Sequence, residues 1–498
     1  MKKELTEQAL EHIDDAYIQE AACAKHRVPW IGAVAAVLAI VLLLGFLWRP
    51  AAPDVTLQNQ PTTTPTEGFT LPHDTLFTNP VTLKYGVSTA QYPVLCSYPM
   101  DHSSDAYTAW WTDQRALHNQ PLGYADNLTD YFAKIVPALL ADNGGKNATC
   151  SPVNIYMALA MLAEITDGES RQQILSLMNA DSIESLRTQA KHVWRAHYNN
   201  DGLSTSILGS SLWLEEGYEY NENTTKLLAE NYYASVFRGD LGSAEMNEAL
   251  QSWLNEQTMG LLEEQVQNVE MSPETLLALA TTICYQVQWK NQFHEAANSE
   301  GIFHSTAGDT TETFMHQQLT YGPFFWGENF SAAGLALEND SIMWLILPDE
   351  GVSPETLLTS GEIADFFAQQ PRNVQTTWEN QKRMRVNLSV PKFDICSDLE
   401  ISGALKKLGI TQVFDSKAAQ FTPIIPEEDG GCVDRITHAA RVKIDEDGLT
   451  AAAYTLILYY GSAMPPGEEV DFTLDRPFLF YVESRDGLPL FTGIVNEP

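Results

Sequence analysis

Between Trp30 and Trp48 the sequence WIGAVAAVLAIVLLLGFLW runs for 19 residues without a charged side chain. As a helix rising ~1.5 Å per residue it is about 28 Å long, the thickness of a bilayer's hydrocarbon core. Lipid offers the backbone no hydrogen bonds, so the run is expected to cross the membrane as one helix and to put the rest of the chain on one side or the other. Tryptophan at both ends suits the interface, and Lys2, Lys3, Lys25 and Arg27 ahead of the run outnumber Arg49 directly behind it. That bias points the N-terminus into the cytoplasm and the bulk of the chain outside the cell. A cleaved signal peptide fits less well, because about 29 residues precede the apolar run and no small-x-small site follows it directly.

On this division residues 1–29 form a cytoplasmic segment in which Leu5, Ala9, Ile13, Tyr17 and Ile18 have the spacing of a short amphipathic helix. Residues 49–72, rich in Pro and Thr, read as an extended linker. Residues 73–124 are an extension whose alternation, as in VTLKYGV, predicts short strands, and residues 125–498 are one mixed domain. Helix-period runs such as YFAKIVPALLA and IYMALAMLAEI come first in that domain, and strand-like runs such as IMWLILP and FLFYVE later.

With 44% hydrophobic and 10% aromatic residues the domain can bury a large core. The formal charge of -36, nearly all of it beyond the span, excludes a nucleic-acid partner, since such a surface has nothing with which to release counterions from phosphate. Cys23, Cys96, Cys150, Cys284, Cys396 and Cys432 are scattered without a CxxC or Cys/His cluster, so neither a metal nor another cofactor is expected. Cys150 and Cys284 sit in apolar runs and read as small buried thiols, although an extracellular domain leaves a bridge between them open. The sequence has no G-x-S-x-G, H-E-x-x-H, P-loop or Gly-rich dinucleotide motif, so an enzyme is not expected.

The stretch NATCSPVNIYMALAMLAEITDGESRQQILSLM (147–178) joins an N-x-x-x-S-P start to a helix carrying Ala158 and Ala160, then a Gly and a Gln-Ile-Leu run. Ser151 and Pro152 suit the N-cap and first helical position, and the alanines permit close packing beneath a sheet. There follow LQSWLNEQTMGLL (250–262), ICYQVQWKNQF (283–293), SIMWLILPDE (341–350), LSVPKFDI (388–395), LKKLGITQVF (405–414), HAARVKIDEDG (438–448) and FTLDRPFLFYVESRDGLPLFTGIVNEP (472–498). These eight segments, in this order over about 370 residues, resemble the serpin family of protease inhibitors, here a bacterial, membrane-anchored member. The resemblance implies an α+β, multidomain-type fold with three β-sheets, eight or nine helices and an exposed reactive-centre loop. It also implies a monomer that forms a covalent complex with a target serine, or cysteine, protease.

In the family the hinge of that loop is a Glu-Glu-Gly segment followed by small residues. The matching positions here are Glu446, Asp447, Gly448, Leu449, Thr450, Ala451, Ala452 and Ala453. After cleavage such a hinge slides between two strands, so inward side chains must fit a nearly closed sheet, and a charge there would be buried unpaired. Period two points Leu449, Ala451, Ala453 and Thr455 inward and Thr450, Ala452 and Tyr454 outward. Leu449 replaces the family's usual Thr or Ser and, being uncharged, is expected to slow insertion without blocking it. Counting fourteen residues from the hinge Gly, as the resemblance implies, puts the reactive bond at Ser462–Ala463, just ahead of Pro465-Pro466, with Tyr460–Gly461, which would suit a chymotrypsin-like pocket, and Ala463–Met464 as the neighbouring alternatives. A small residue there suits elastase-like or subtilisin-like proteases, and the lack of Lys or Arg nearby disfavours trypsin-like ones. Beneath the sheet the family keeps a polar shutter, and Ser151, Asn154 and His438 occupy its positions, with Thr281 where relatives place Asn. The alternative on the same fold is a non-inhibitory serpin acting as a binding or chaperone-like module.

Overall fold

The apolar runs of the C-terminal part pair into two mixed sheets, seen in a computed structural model that describes residues 80–99, 104–368, 380–426, 431–449 and 468–498. All of these belong to the second of the two units into which the chain divides, Thr66–Pro498. The expected membrane span at 30–48, the segment 1–29 and the linker 49–72 lie outside the described residues. Among the described residues no helix is long and apolar enough to cross a membrane.

The strands in chain order begin with β1 (Gly86–Ser88), β2 (Ala148–Cys150), β3 (Asn199–Asn200), β4 (Ser204–Glu215), β5 (Ala234–Gly239) and β6 (Leu277–Gln288). Next come β7 (Ser299–Ser305), β8 (Gly308–Trp326), β9 (Phe330–Ala336), β10 (Ile342–Pro348), β11 (Gln381–Pro391) and β12 (Phe393–Glu400). The last are β13 (Thr437–Ile444), β14 (Gly448–Leu449), β15 (Glu469–Thr473), β16 (Phe478–Glu483) and β17 (Pro489–Val495). The first sheet has the order β1-β5-β4-β6-β14-β13-β12, with β3 on β4, and the second β15-β11-β8-β9-β10-β16-β17-β2, with β7 on β8.

Among the described residues two sheets replace the three expected, and the cause is β8. This strand runs 19 residues without a break, pairing with β7 and β11 and, at its far end, with β9. Its ladder with β11, irregular only between Met384 and Val386, therefore fuses what would otherwise be two smaller sheets.

The helices are α1 (Pro80–Tyr85), α2 (Ser104–His118), α3 (Leu128–Leu140), α4 (Pro152–Ile165), α5 (Gly168–Leu177), α6 (Ile183–His197), α7 (Glu222–Asn231) and α8 (Ala244–Gln257). Shorter ones follow: α9 (Glu263–Val266), α10 (Pro354–Ser360), α11 (Glu362–Ala368) and α12 (Ser402–Lys407). They exceed the eight or nine expected because one-turn pieces and the two helices of the extension add to the set. Ser151 caps α4, its hydroxyl accepting from the Asn154 N–H with Pro152 at the first helical position. Every α4 residue except Ala158 is buried, which places the helix beneath the first sheet against β6. On the other face Met246, Leu250 and Trp253 of α8 pack on Trp213 of β4 and Phe237 of β5. Each such buried side chain contributes about 1.5–3 kcal/mol, so the sheet is held firmly from both sides.

The extension corrects the expectation of short strands. VTLKY is helical, because Val81 and Tyr85, one turn apart, join the cluster around Trp213; only Gly86–Ser88 is extended, adding β1 to the sheet's edge at β5. Beyond it Tyr92 packs on Trp194 and Tyr198, while Trp110 Nε1 of α2 donates to the Asp201 carboxylate at 2.8 Å.

Candidate functional site: the loop hinge and the sheet beneath it

Where β13 ends, the chain turns through Asp445, Glu446 and Asp447 and folds back as β14. Asp445 organises the turn, its carboxylate accepting from the N–H groups of Asp447 at 3.0 Å and Gly448 at 3.2 Å. The three turn carbonyls are each met from the segment after β6. Trp289 Nε1 donates to Asp445 O at 2.8 Å, the Trp289 N–H to Asp447 O at 2.9 Å and the Phe293 N–H to Glu446 O at 3.0 Å. The Glu446 carboxylate takes Lys392 Nζ at 2.6 Å and the Asn298 amide. Burial alone would raise this carboxyl, but those two donors outweigh it and hold it below the usual range.

β14 lies between two partners. Leu449 pairs with Ile444 of β13 and with Val287 of β6, and Gly448 with Gln288. A Cβ at Gly448 would come within 2.3 Å of the Val287 carbonyl oxygen, so only glycine fits. Leu449 is 3% exposed, its side chain seated in the core. Among the described residues no ladder pair joins β6 directly to β13; the two-residue β14 is what connects them. On either side the ladders are long, from Ser204↔Val287 to Leu214↔Leu277 between β4 and β6, and from Phe393↔Ile444 to Glu400↔Thr437 between β12 and β13. The sheet is thus two stiff halves that meet at the start of the loop.

Thr450, Ala451, Ala452, Ala453 and the expected bond Ser462–Ala463 lie outside the described residues. The chain is described again from Glu468, where β15 runs parallel to β11.

The three shutter residues meet at Ser151. The Ser151 N–H at the start of α4 donates to His438 Nε2 of β13 at 2.9 Å. His438 is therefore neutral and protonated at Nδ1, and burial pushes its pKa down to about 4. Asn154 contributes its backbone N–H to Ser151 Oγ at 3.3 Å, but among the described residues its buried side-chain Nδ2 has no partner. Thr281, on β6, stands opposite Ser210, whose hydroxyl likewise has no partner among the described residues. Nearby, the Thr149 N–H of β2 donates to Ser397 Oγ of β12 at 2.8 Å, a cross-tie between the sheets.

Two features escaped the sequence reading. One is the carboxylate of Asp201, 2% exposed, which receives Trp110, Gln114 and the N–H groups of Leu203 and Ser204, so that it pins the extension to the domain. The Trp110, Gln114, Leu117 spacing is a helical stripe that could have signalled it. The other is a basic row, Lys382, Arg383 and Arg385, beside the far end of the loop. Cys150 and Cys284 are free buried thiols, the latter pushed up to about 12 by burial. Among the described residues no cluster of ligating side chains could hold a metal.

A sequence model of the family described as "Serpin (serine protease inhibitor)" matches residues 126–498. The chain is 26% identical over 378 residues to the leukocyte elastase inhibitor of Sus scrofa, covering 74% of this chain and 98% of that one. It is 26% identical over 385 residues to serpin-ZX of Arabidopsis thaliana, covering 74% and 95%. The structure of a thermophilic serpin, tengpin, in its native state superposes with a TM-score of 0.67 at 22% identity, over 76% of this chain and 95% of that one. With three quarters of its length matched by the family's sequence pattern and its fold shared with solved members, this chain belongs to the serpin family.

Proposed function

We propose that the chain is a serine-type endopeptidase inhibitor of the suicide kind. The observation that carries this reading is β14: the first two residues of the loop are already hydrogen-bonded between β6 and β13, and the inward one, Leu449, is buried. In the proposed sequence the protease's own serine attacks the Ser462 carbonyl, forming an ester to that serine while Ala463 leaves as the new amine. The inhibitor lends no catalytic group. The freed strand then extends β14, and fourteen residues, Leu449 to Ser462, at ~3.3 Å each carry the acylated protease roughly 45 Å across the molecule. Its active site is distorted before water completes hydrolysis, driven by a native fold that persists kinetically.

Elastase-like or subtilisin-like enzymes are the proposed targets. We place the domain outside a bacterial cell, tethered by Trp30–Trp48 with the N-terminus in the cytoplasm, where it would guard the surface against foreign proteases. The full chain in detergent, incubated with a pancreatic-type elastase and with subtilisin, gives a band of summed mass on denaturing gels and a released peptide beginning at Ala463. Cleavage without an adduct would contradict inhibition and favour the binding-module reading; surface proteolysis of intact cells that spares the domain would contradict the topology.

A further inference from the structure

The sheet edge at which the loop ends carries a short basic row in an otherwise strongly acidic protein of net charge -36. Two of its members are matched to the chain leaving the loop: Lys382 Nζ lies 2.8 Å from Glu468, and Arg385 Nη1 lies 3.4 Å from Glu469. Arg383, between them, is exposed, and among the described residues no carboxylate pairs with it. Instead its guanidinium stacks 5.5 Å over the ring of Tyr321 on β8 and reaches that residue's carbonyl at 3.5 Å. Tyr321 is itself 52% exposed, one of the few large side chains that the domain leaves in water. An arginine with no carboxylate partner among the described residues, braced on an open tyrosine, combines two of the three residue types enriched where binding energy concentrates at protein interfaces, and it is held ready at little entropic cost.

Its position limits what it can touch. Glu468 follows Ser462 by six residues, so whatever path the loop takes, the expected bond lies within about 20 Å of Glu468. A protease of about 230 residues is roughly 45 Å across, and one seated on Ser462–Ala463 spans that distance. Because β11 flanks residues C-terminal to the bond, the contact falls on the primed side of the protease's cleft.

We infer that Arg383 and Tyr321 form an exosite that captures the target protease through a carboxylate on the primed-side rim of its active-site cleft. The inference rests on the loop being the bait, and it concerns the encounter, not the insertion. Cationic capture at a rim speeds association and is sensitive to salt, and it leaves later steps unchanged.

The test is the second-order rate of loop attack on the full chain in detergent by subtilisin and by a pancreatic-type elastase, counted as adduct plus cleaved product. For at least one protease Arg383→Glu is expected to slow attack roughly 3–10-fold at low salt, with the difference fading by about 0.5 M NaCl. Tyr321→Ala slows it in the same direction, and neither change alters the ratio of adduct to cleaved product. Rates within about twofold of the parent for both variants and both proteases at low salt would overturn the exosite, since rim charges that matter change association by more. If the parent is cleaved without adduct, the suicide mechanism fails while the exosite is still decided by the cleavage rate. Loop attack by neither protease would overturn both.

Discussion

At the scale of single residues, Leu449 carries the most weight. From sequence alone a branched side chain at the first inward position looks like a hindrance, because the volume available between two strands is a property of the packed sheet. In the structure that volume exists, and Leu449 fills it beside Val287 and Ile444. Leu449→Glu should therefore bury an unpaired carboxylate at several kcal/mol. The expected result is a chain cleaved by the protease with little or no covalent adduct on gels. His438 gives a pH prediction. Unfolded, the imidazole takes a proton below its ordinary value near 6.5; folded, it does so only near 4. The unfolded state thus binds more protons between those values, and stability is full above about pH 6.5 and lost as pH falls to about 4, by on the order of 3 kcal/mol. Burial lowers His118 and His197 as well, in the same direction. Urea midpoints at pH 7 and pH 4.5 should differ less for His438→Gln than for the parent; an equal difference would remove His438 from the account.

Among the elements, those whose sequence pattern and packing agree were readable in advance. The Ser-Pro start and small-residue face of α4, and the continuous apolar runs of β10 and β16, leave few alternatives. The extension was not readable, since VTLKY satisfies a period of two and a period of four equally, and its helix is chosen by where Val81 and Tyr85 find a core to enter. Nor does any local signal say that β8 runs on for 19 residues to join two sheets. The extension also depends on one buried carboxylate. Asp201→Ala leaves Trp110 Nε1 and two backbone N–H groups without their acceptor, at roughly 1–3 kcal/mol for each that stays dry, while Gln114 Nε2 keeps Asn199 Oδ1. Hydrogen exchange should show α2 losing protection while α4 keeps it; unchanged protection in α2 would mean that aromatic packing alone holds the extension.

For the molecule as a whole, the first sheet is a pair of laddered halves, β1-β5-β4-β6 and β13-β12, joined by a two-residue strand, with α4 below and α8 above. Such a sheet gains a full set of hydrogen bonds and apolar contacts if the residues after Leu449 continue the strand. The central claim is that the loop belongs in that position once it is cut. The most direct measurement is the thermal unfolding of the full chain in detergent before and after its loop is nicked by a protease that leaves the rest intact. The nicked protein is predicted to unfold at a markedly higher temperature, with the amides of β6 and β13 newly protected from exchange; equal or lower stability, with no added protection in those strands, would contradict insertion.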